Sequence, residues 1–303
     1  MDKLQTIKVF IEVAKHQSFS IAAENLGMSA PAASRAIAEL EGRLRTKLFN
    51  RTTRLVRLTE TGARFFKDTQ RILEDLDDAE SIAKGVYSTP SGILTITAPV
   101  LFGQQHVMPV VNEYLSLHSE VSVKAMFYDR VTSLLEEELD IAIRIGHLKD
   151  SSLYAKKVGT VRRIICGSPS YFKKSDLPKK PTDLLDHNLI FPTTFENTLT
   201  WQFQNGDKKE LIKLNPRLMC NQNAAALKAA IEGRGITRLM SYQVGEELEK
   251  GTLIAVLTGY EEEPLPVHVV HVEGRRANAK VRSFIDLAVE RFRTNPFINT
   301  EVK

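Results

Sequence analysis

The first 46 residues contain three short segments in which apolar residues recur every three or four positions, the spacing of one face of an α-helix. The second segment spans Ile21–Leu26, and the third begins after Ser29. Ser18 or Ser20 can cap the second segment, which stops at Gly27, a residue that tolerates the left-handed backbone of a tight turn. This pattern predicts a three-helix unit whose last two helices form a helix-turn-helix.

The third predicted helix has two different faces. Its apolar face carries Ala33, Ile37, Leu40 and Leu44, and its other face carries Ala30, Pro31, Ser34, Arg35 and Ala38. Small outward residues let a helix approach base edges in a major groove, where an arginine reads guanine or binds a phosphate. We therefore expect DNA contacts from the start of this helix, at Ser29, Ala30, Pro31, Ser34 and Arg35.

A basic β-hairpin, or wing, is predicted after the third helix. Lys47–Phe49 and Leu55–Leu58 are expected to pair as short strands, with Arg51 and Arg54 at the tip suited to a phosphate or a narrow minor groove. Residues 1–60 hold ten basic and six acidic residues, whereas the remaining 243 residues hold 31 of each. The alternative is a solvated charged face, but the helical pattern and the wing together favour a polyanion partner for this segment.

A long helix is predicted to begin after Thr59, a plausible N-cap, and to end at the linker-like residues 88–92. Its apolar residues follow a repeat of 3.5 residues, which is typical of the seam between two paired helices. The alternative is an amphipathic helix that faces the core of its own chain. The residues predicted to form the dimer seam are Phe65, Ile72, Leu76, Ala79, Ala83 and Val86, with Thr69 on the same stripe.

The remaining two hundred residues alternate short apolar strands with helical patterns, which predicts open α/β sheets with ligands at the carboxyl ends of the strands. The predicted strands are Ile93–Ala98, Val121–Tyr128, Ile141–Ile145, Arg163–Cys166, Ile236–Leu239 and Val267–Val272. The predicted helices are Thr132–Leu139, Ala224–Glu232, Tyr242–Glu249 and Ala277–Phe292. A structural or dimerisation domain without a ligand is the alternative for this half.

The whole chain resembles the LysR-type transcriptional regulators. In the first 62 residues the resemblance is carried by Phe10, Val13-Ala14, Ser18-Phe19, Ala22-Ala23, Leu26, Ser29, Pro31, Ser34-Arg35, Ile37, Leu40-Glu41, Leu44, Leu48-Phe49, Arg51, Leu58-Thr59 and Gly62. It continues through Gly92–Pro99, Asp140–Gly146, Ser168–Phe172, Gly233–Ile236 and Gly251–Ile254. Many family members carry glutamine where this chain has Ala30, and alanine cannot make a bidentate contact with adenine. Residue 30 is therefore expected either to contact a thymine methyl group or to make no contact with a base.

The resemblance implies an α+β multidomain chain with a winged helix-turn-helix, a long linker helix and a two-lobed α/β domain like that of periplasmic binding proteins. The expected division is a DNA-binding domain at 1–59, a dimerisation helix and hinge at 60–90, and an effector-binding domain at 91–303. Within the last, lobe I comprises 91–162 and 267–303 and lobe II comprises 163–266, with strands near 161–168 and 265–272 crossing between the lobes. The implied partners are double-stranded promoter DNA, a small-molecule effector, a second copy in a dimer or a tetramer, and RNA polymerase.

Effector contacts are expected in the cleft between the lobes. Val100, Leu101 and Phe102 open the helix after the first strand, whose free N–H groups can hold a carboxylate, although these apolar side chains weaken the case for an anionic ligand there. Arg144 is a further candidate, unless it pairs with one of Glu136–Glu138. The other candidates are His147, Thr193, Thr194, Asn221 and Asn223.

Composition and motifs narrow the classes of protein and the kinds of site that remain possible. The chain is 43% hydrophobic, has no apolar run of the length a membrane helix needs, and begins with a charged segment, so a cytoplasmic protein is expected. Cys166 and Cys220 raise a redox-switch hypothesis, but both lie in apolar strand patterns where buried, inert thiols are the rule. His268 and His271 lie three apart on a strand and cannot share a metal, and Glu261–Glu263 is a short acidic loop rather than a catalytic pair.

No metal, cofactor or enzymatic activity is expected, since the chain lacks the HExxH, Walker A and GxSxG motifs. The alternative function is a solute-binding or periplasmic-type enzyme module with an accessory N-terminal domain.

Overall fold

A computed structural model describes residues 2–51, 56–83, 89–148, 153–193, 198–272 and 278–299. The chain divides into two compact units, Met1–Ser88 and Thr89–Lys303, and each is described by itself.

The first unit consists of three short helices, a two-stranded hairpin and a long helix. Its elements are α1 (Lys3–His16), α2 (Phe19–Asn25), α3 (Ala30–Leu44), β1 (Phe49–Arg51), β2 (Val56–Leu58) and α4 (Glu60–Ala83). The hydroxyl of Ser18 accepts the Ile21 N–H at 3.3 Å and caps α2. Gly27 has a φ of 63°, so the predicted turn is confirmed.

One apolar core holds the first unit together. The ring of Phe10 lies 5.3 Å from the ring of Phe49 and 5.2 Å from that of Phe65, so α1, the wing and α4 meet at one side chain. On α3 the predicted buried face is confirmed except at Leu44, which is exposed because the helix ends there and Arg45 takes a left-handed backbone.

The second unit contains two mixed sheets and their covering helices. Its elements in chain order are β3 (Gly92–Ala98), α5 (Val100–Phe102), a π-helical turn (Gly103–Val107), α6 (Met108–Leu117), β4 (Val121–Phe127), β5 (Ile141–Ile145), β6 (Tyr154–Val161), β7 (Arg163–Gly167), α7 (Pro169–Phe172), a 3₁₀ turn (Pro181–Asp186), β8 (Leu189–Pro192), β9 (Thr200–Asn205), β10 (Lys208–Lys213), β11 (Leu218–Cys220), α8 (Asn223–Ile231), β12 (Ile236–Met240), α9 (Ser241–Glu249), β13 (Ile254–Val256), a 3₁₀ turn (Thr258–Tyr260), β14 (Leu265–His271) and α10 (Ala279–Thr294).

Lobe I is built on the sheet β4-β3-β5-β14-β6, in which β4, β3 and β5 are parallel and β14 is antiparallel to both of its neighbours. Helices α6 and α10 cover one face of this sheet. Tyr114 of α6 packs against Phe284 of α10, and its hydroxyl donates to the Lys280 carbonyl at 2.8 Å. This face is the core of lobe I.

Lobe II is built on the sheet β11-β8-β12-β7-β13, in which β11, β8 and β12 are parallel. The hairpin β9–β10 supplies Trp201 and Phe203 to the core of this lobe, where Phe191 of β8 stacks on Trp201. The hairpin was missed in the sequence because polar residues dominate both of its strands.

The chain passes between the lobes twice. Arg162 separates β6 of lobe I from β7 of lobe II, and the return path runs from β13 to β14. Leu265 and Pro266 pair with β6 and therefore belong to the lobe I sheet, two residues before the expected boundary at 267.

Two predicted elements need correction. The helix predicted over Thr132–Leu139 is wrong, because residues 134–138 form a turn in which the Leu139 N–H donates to the Leu134 carbonyl at 2.8 Å. Glu138 takes a φ of 53° there, which lets both leucines enter one small apolar cluster. The first wing strand begins at Phe49 rather than Lys47, because side chains from elsewhere bond the backbone before Phe49.

Candidate nucleic-acid interface and effector cavity

The N-terminal end of α3 is capped and open to solvent. The Ser29 hydroxyl accepts the Ala32 N–H at 3.3 Å, and Pro31 occupies the first turn, where a missing N–H is tolerated. Ser29, Pro31 and Arg35 are exposed, and Ala30 and Ser34 are half-buried. Four of the five predicted contact residues are therefore at least partly open to solvent at this end of α3, whereas Ala30 packs partly against the core of the first unit.

A buried carboxylate holds the wing to α3. Glu41 is only 3% exposed, and its Oε1 atom accepts the N–H groups of Leu48 at 2.9 Å and Phe49 at 3.1 Å. Its Oε2 atom accepts from Lys47 Nζ at 3.2 Å. The position of Glu41 in the sequence indicates this role. It lies one turn after Ile37 on the apolar face of α3, where a carboxylate needs hydrogen-bond partners.

The start of α4 contacts the same segment, the residues just before β1. The Thr59 hydroxyl donates to the Lys47 carbonyl at 2.8 Å and accepts the Gly62 N–H at 2.9 Å, which confirms Thr59 as the N-cap. A Cβ atom on Gly62 would lie 2.0 Å from the Leu48 carbonyl oxygen, so only glycine permits this approach. We call the contacts of Glu41, Thr59 and Gly62 with residues 47–49 the wing clamp.

The wing itself is partly described. Arg51 is the last residue of β1, opposite Val56, and Arg57 is exposed on β2. Arg54 lies outside the described residues, so its predicted place at the tip of the wing stays a prediction.

The residues of the predicted dimer seam on α4 lie in different surroundings. Phe65 is half-buried and packs against Phe10 within its own unit, and its place in the seam stays a prediction. Thr69 is buried as well, with its hydroxyl donating to the Phe65 carbonyl at 2.6 Å. Ile72 is 52% exposed and Leu76 is half-buried, while the side chains of Ala79 and Ala83, and all of Val86, lie outside the described residues.

The helix start after β3 does not offer the predicted ligand site. The Val100 N–H already donates to Asp129 Oδ1 at 2.9 Å, and burial raises the pKa of that carboxyl. Leu101 and Phe102 are buried in the lobe I core, where Phe102 contacts Tyr242 and Phe292. The assignment of Val100, Leu101 and Phe102 to the effector site is therefore wrong, because core packing and an internal carboxylate use this helix start.

A cavity of about 560 Å³ lies at the carboxyl ends of β3 and β5 in lobe I, beneath the loop that follows β4. Two predicted residues, Arg144 and His147, line it. Arg144 Nη2 donates to the Thr132 carbonyl at 2.8 Å, and Arg130 is the residue that pairs with Glu137, at 2.7 Å. The volume suits a small organic molecule.

A second, smaller cavity of about 40 Å³ lies in lobe II and is lined by Asn223, another predicted residue. Beside it the Arg238 guanidinium lies 5.0 Å from the centre of the Trp201 ring and 3.5 Å from Glu262. Thr193 and Asn221 line neither cavity, and the Thr193 N–H donates to the Cys220 carbonyl at 2.8 Å. Thr194 lies outside the described residues.

Ion pairs join the two connections between the lobes. Arg162 on the first connection binds Glu261 at 2.9 Å, and Arg163 binds Glu262 at 3.2 Å on the return path. Burial raises the pKa of Glu261, and the Arg162 guanidinium opposes that rise. The acidic loop predicted at 261–263 thus supplies the counter-charges for these connections.

The cysteines occupy apolar surroundings. Burial raises the pKa of the Cys166 thiol to about 12, and it also raises the pKa of the half-buried Cys220. No three His, Cys, Asp or Glu side chains of the described residues lie close enough together to hold a metal ion. None of the described helices combines the length and the apolar character that crossing a bilayer requires.

The sequence matches two family models. One, described as the LysR substrate binding domain, matches residues 88–293, and the other, described as a bacterial regulatory helix-turn-helix protein of the lysR family, matches residues 4–63. An uncharacterized HTH-type transcriptional regulator of Haemophilus influenzae is 34% identical, with 93% of this chain and 98% of that protein covered. The regulator PtxR of Pseudomonas aeruginosa is 31% identical, with 97% and 94% covered.

The fold is similar to that of solved relatives over nearly the whole chain. The structure of CrgA, a LysR-type transcriptional regulator from Neisseria meningitidis, has a TM-score of 0.63 and 28% identity, with 97% of this chain and all of that chain covered. The full-length structure of the Vibrio cholerae virulence activator AphB has a TM-score of 0.61 and 28% identity, with 95% and 99% covered.

A winged helix-turn-helix followed by a long helix and a two-sheeted α/β unit defines a DNA-binding regulator with a sensor domain. The chain belongs to the LysR family of transcriptional regulators, in which DNA binding by the first unit is modulated by an effector bound to the second.

Proposed function

We propose that residues 1–59 bind promoter DNA by placing the N-terminal end of α3 in the major groove, that residues 60–90 dimerise the chain, and that residues 91–303 bind the effector. The observation that carries this proposal is the open face of α3, which presents small and polar side chains while its opposite face is fixed in the core.

The roles of the DNA contacts follow from their chemistry. Arg35 reads a base edge, and Ser29 and Ser34 bind phosphate or base edges at the same end of the helix. Pro31 and Ala30 allow close approach, with the Ala30 methyl against a thymine methyl group. Arg51 and Arg54 on the wing bind backbone phosphates and supply affinity that depends on salt.

A gel-shift titration with the DNA that flanks the gene of this protein tests the proposal. Arg35→Ala is expected to abolish the preference for that DNA over unrelated DNA, whereas Arg54→Ala weakens binding to both. Equal loss of specific and non-specific binding in Arg35→Ala would contradict a base-reading role. Absence of retardation by the unaltered protein at low salt, where phosphate contacts are strongest, would refute DNA binding itself.

The effector is proposed to bind in the lobe I cavity. Arg144 and His147 line that cavity, and Asn223 lines the smaller one in lobe II. Binding shifts a pre-existing equilibrium between arrangements of the lobes or of the dimers, which changes the spacing of the two DNA-binding units.

The assembly is proposed to be a dimer through α4 that pairs into a tetramer, with RNA polymerase as its partner at the promoter. Exposed Ile72 and half-buried Leu76 support the seam on α4. We place the protein in the cytoplasm, with the DNA, and assign it no reaction of its own, since both matching family models describe regulator domains.

A further inference from the structure

Helix α9 takes part in the apolar cores of both lobes. Val244, in the middle of α9, is buried in one cluster with Cys166 of β7, in lobe II. Tyr242, two residues earlier, is buried in the lobe I core instead, where its ring lies 5.1 Å from that of Phe102 and 5.6 Å from that of His106. Because α9 directly follows β12 of lobe II, this tyrosine fixes lobe II to the core of lobe I.

The residues that follow α10 are held firmly by lobe I. Ile298 is fully buried in the lobe I core, and its carbonyl accepts the Thr160 N–H of β6 at 2.8 Å. Asn299 pairs with Thr160, and its side-chain amide donates to the Phe292 carbonyl at the end of α10 at 2.9 Å. We call residues Asn295–Asn299 the C-terminal strap.

The C-terminal strap also contacts α9 and the first connection between the lobes. The Phe297 ring packs on α9 at Gly245, where a Cβ atom would lie 2.2 Å from Cδ1 of the ring. The Ser241 hydroxyl donates to the Phe297 carbonyl at 3.4 Å and accepts the Arg162 N–H at 3.1 Å. The Ser241 N–H donates to the Arg162 carbonyl at 2.7 Å. One hydroxyl at the start of α9 therefore joins the strap to the connection between the lobes.

A second side-chain bond fixes the beginning of the C-terminal strap. Asn295 Oδ1 accepts the Phe297 N–H at 2.9 Å, so Asn295 Nδ2 faces His106 Nδ1, which lies 3.1 Å away. An amide donor needs an acceptor, and Nδ1 accepts only in a neutral imidazole. Burial lowers the pKa of His106 to about 4, while the Tyr242 backbone and Glu246 oppose that shift, so the ring is neutral at pH 7 and the bond is made.

Rotation of lobe II against lobe I would disturb these contacts. Val244 ties α9 to lobe II, whereas Ile298 ties the strap to lobe I, so Phe297 lies where the two lobes would slide past each other. Protein interiors are close-packed, and packed contacts of this kind change between discrete arrangements rather than gradually.

We propose that the C-terminal strap holds the two lobes in the arrangement of this structure, and that a different arrangement requires Phe297 to leave its place on Gly245. The inference goes beyond the proposed function, which does not say what restrains the lobes. It rests on that function only where DNA binding is the measurement.

Gly245→Ala tests the strap and leaves the lobe I core intact. The added methyl group displaces the Phe297 ring, while alanine is the better helix former, so α9 itself is not weakened. In the full chain, we expect the amide hydrogens of Thr160, Arg162 and Ser241 to exchange about tenfold faster, the effect of losing one local hydrogen bond. Fragmentation mass spectrometry measures this exchange, and amides in β5 and β12 are expected to keep their rates.

Phe297→Ala removes the same contact from the other side and is expected to raise exchange at the same three amides, which keeps the test valid if the alanine at residue 245 unfolds the chain. Glu249→Ala is the matched control, because Glu249 is exposed one turn after Gly245 on α9. Unchanged exchange at the three amides in the Gly245 and Phe297 variants would overturn the inference. A uniform increase throughout both lobes would overturn it as well, because the strap would then be only a part of the fold.

A gel-shift titration of the same variants separates this inference from the proposed function. If lobe arrangement controls DNA binding, Gly245→Ala and Phe297→Ala change the affinity for promoter DNA, whereas Glu249→Ala does not. Faster exchange at the three amides with unchanged DNA affinity would support the strap but contradict the proposed coupling of lobe arrangement to DNA.

Discussion

Replacing Glu41 with alanine removes the carboxylate that bonds the wing to the end of α3. Two N–H groups, those of Leu48 and Phe49, then lose their acceptor, and both residues are almost fully buried. A buried donor without a partner costs about 1–3 kcal/mol, so two donors predict a loss of about 3 kcal/mol in the free energy of unfolding of the first unit. Some of this loss is recovered if water enters the space of the missing side chain.

Urea unfolding measures that loss, and hydrogen exchange locates it. In Glu41→Ala the amide hydrogens of Leu48 and Phe49 are expected to exchange faster, while those in the middle of α1 change only with the overall stability. DNA affinity is expected to fall under conditions where the variant is still folded, because the wing is no longer fixed to α3. Glu39→Ala is the matched control, since Glu39 is exposed on the same helix.

The reasoning would be refuted if Glu41→Ala and Glu39→Ala lost the same stability, or if the Leu48 and Phe49 amides stayed protected. Either result would mean that the wing is positioned by apolar packing alone.

Two further predictions concern buried groups of the second unit. Burial lowers the pKa of His106 to about 4. Between pH 6.5 and 4 the histidine is therefore protonated in the unfolded chain but stays neutral in the folded chain. The free energy of unfolding is expected to fall by about 3 kcal/mol as the pH falls over that range. Unfolding of His106→Gln at pH 7 and pH 4 checks this, since the variant should lose less than the unaltered protein, and equal losses would contradict it. Iodoacetamide at pH 8 is expected to leave Cys166 unlabelled in the folded protein and to react slowly with Cys220, which mass spectrometry measures. DNA binding by the labelled protein is expected to be unchanged, both with and without peroxide. Rapid labelling of Cys166, or loss of DNA binding after labelling, would contradict this assignment.

The apolar periodicity predicted the parts of the fold that depend on which residues are buried. The first three helices, the Gly27 turn and six strands of the second unit appear within a few residues of their predicted positions. The pattern failed at Thr132–Leu139, where leucine spacing suited a helix but a left-handed residue at Glu138 placed both leucines in one cluster. At Phe65 the pattern leaves two interpretations open, because a repeat of 3.5 residues does not distinguish a partner helix from the core of the same unit, which Phe65 contacts.

The effector candidates show a different limit of prediction from the sequence. Family position pointed to Val100–Phe102, but the structure uses that helix start for the Asp129 carboxylate and for core packing. Arg144 was predicted from its place after a buried strand, whereas Val270, which lines the same cavity opposite Ala142, is identified only by the strand register. Sequence spacing places side chains on one strand, and cross-strand neighbours more than one hundred residues apart need the sheet order.

The same limit applies to the charged groups that join the lobes. Arg162 and Arg163 bind Glu261 and Glu262, so each connection between the lobes carries charge that the other connection helps to neutralise, and Arg238 of β12 also lies 3.5 Å from Glu262. A movement that separates the two connections would break these partly buried pairs, and an unpaired buried charge is costly. The ion pairs therefore oppose separation of the connections but not rotation about them. A change of lobe arrangement on effector binding is accordingly expected to pivot at Arg162 and Glu261 rather than to part them.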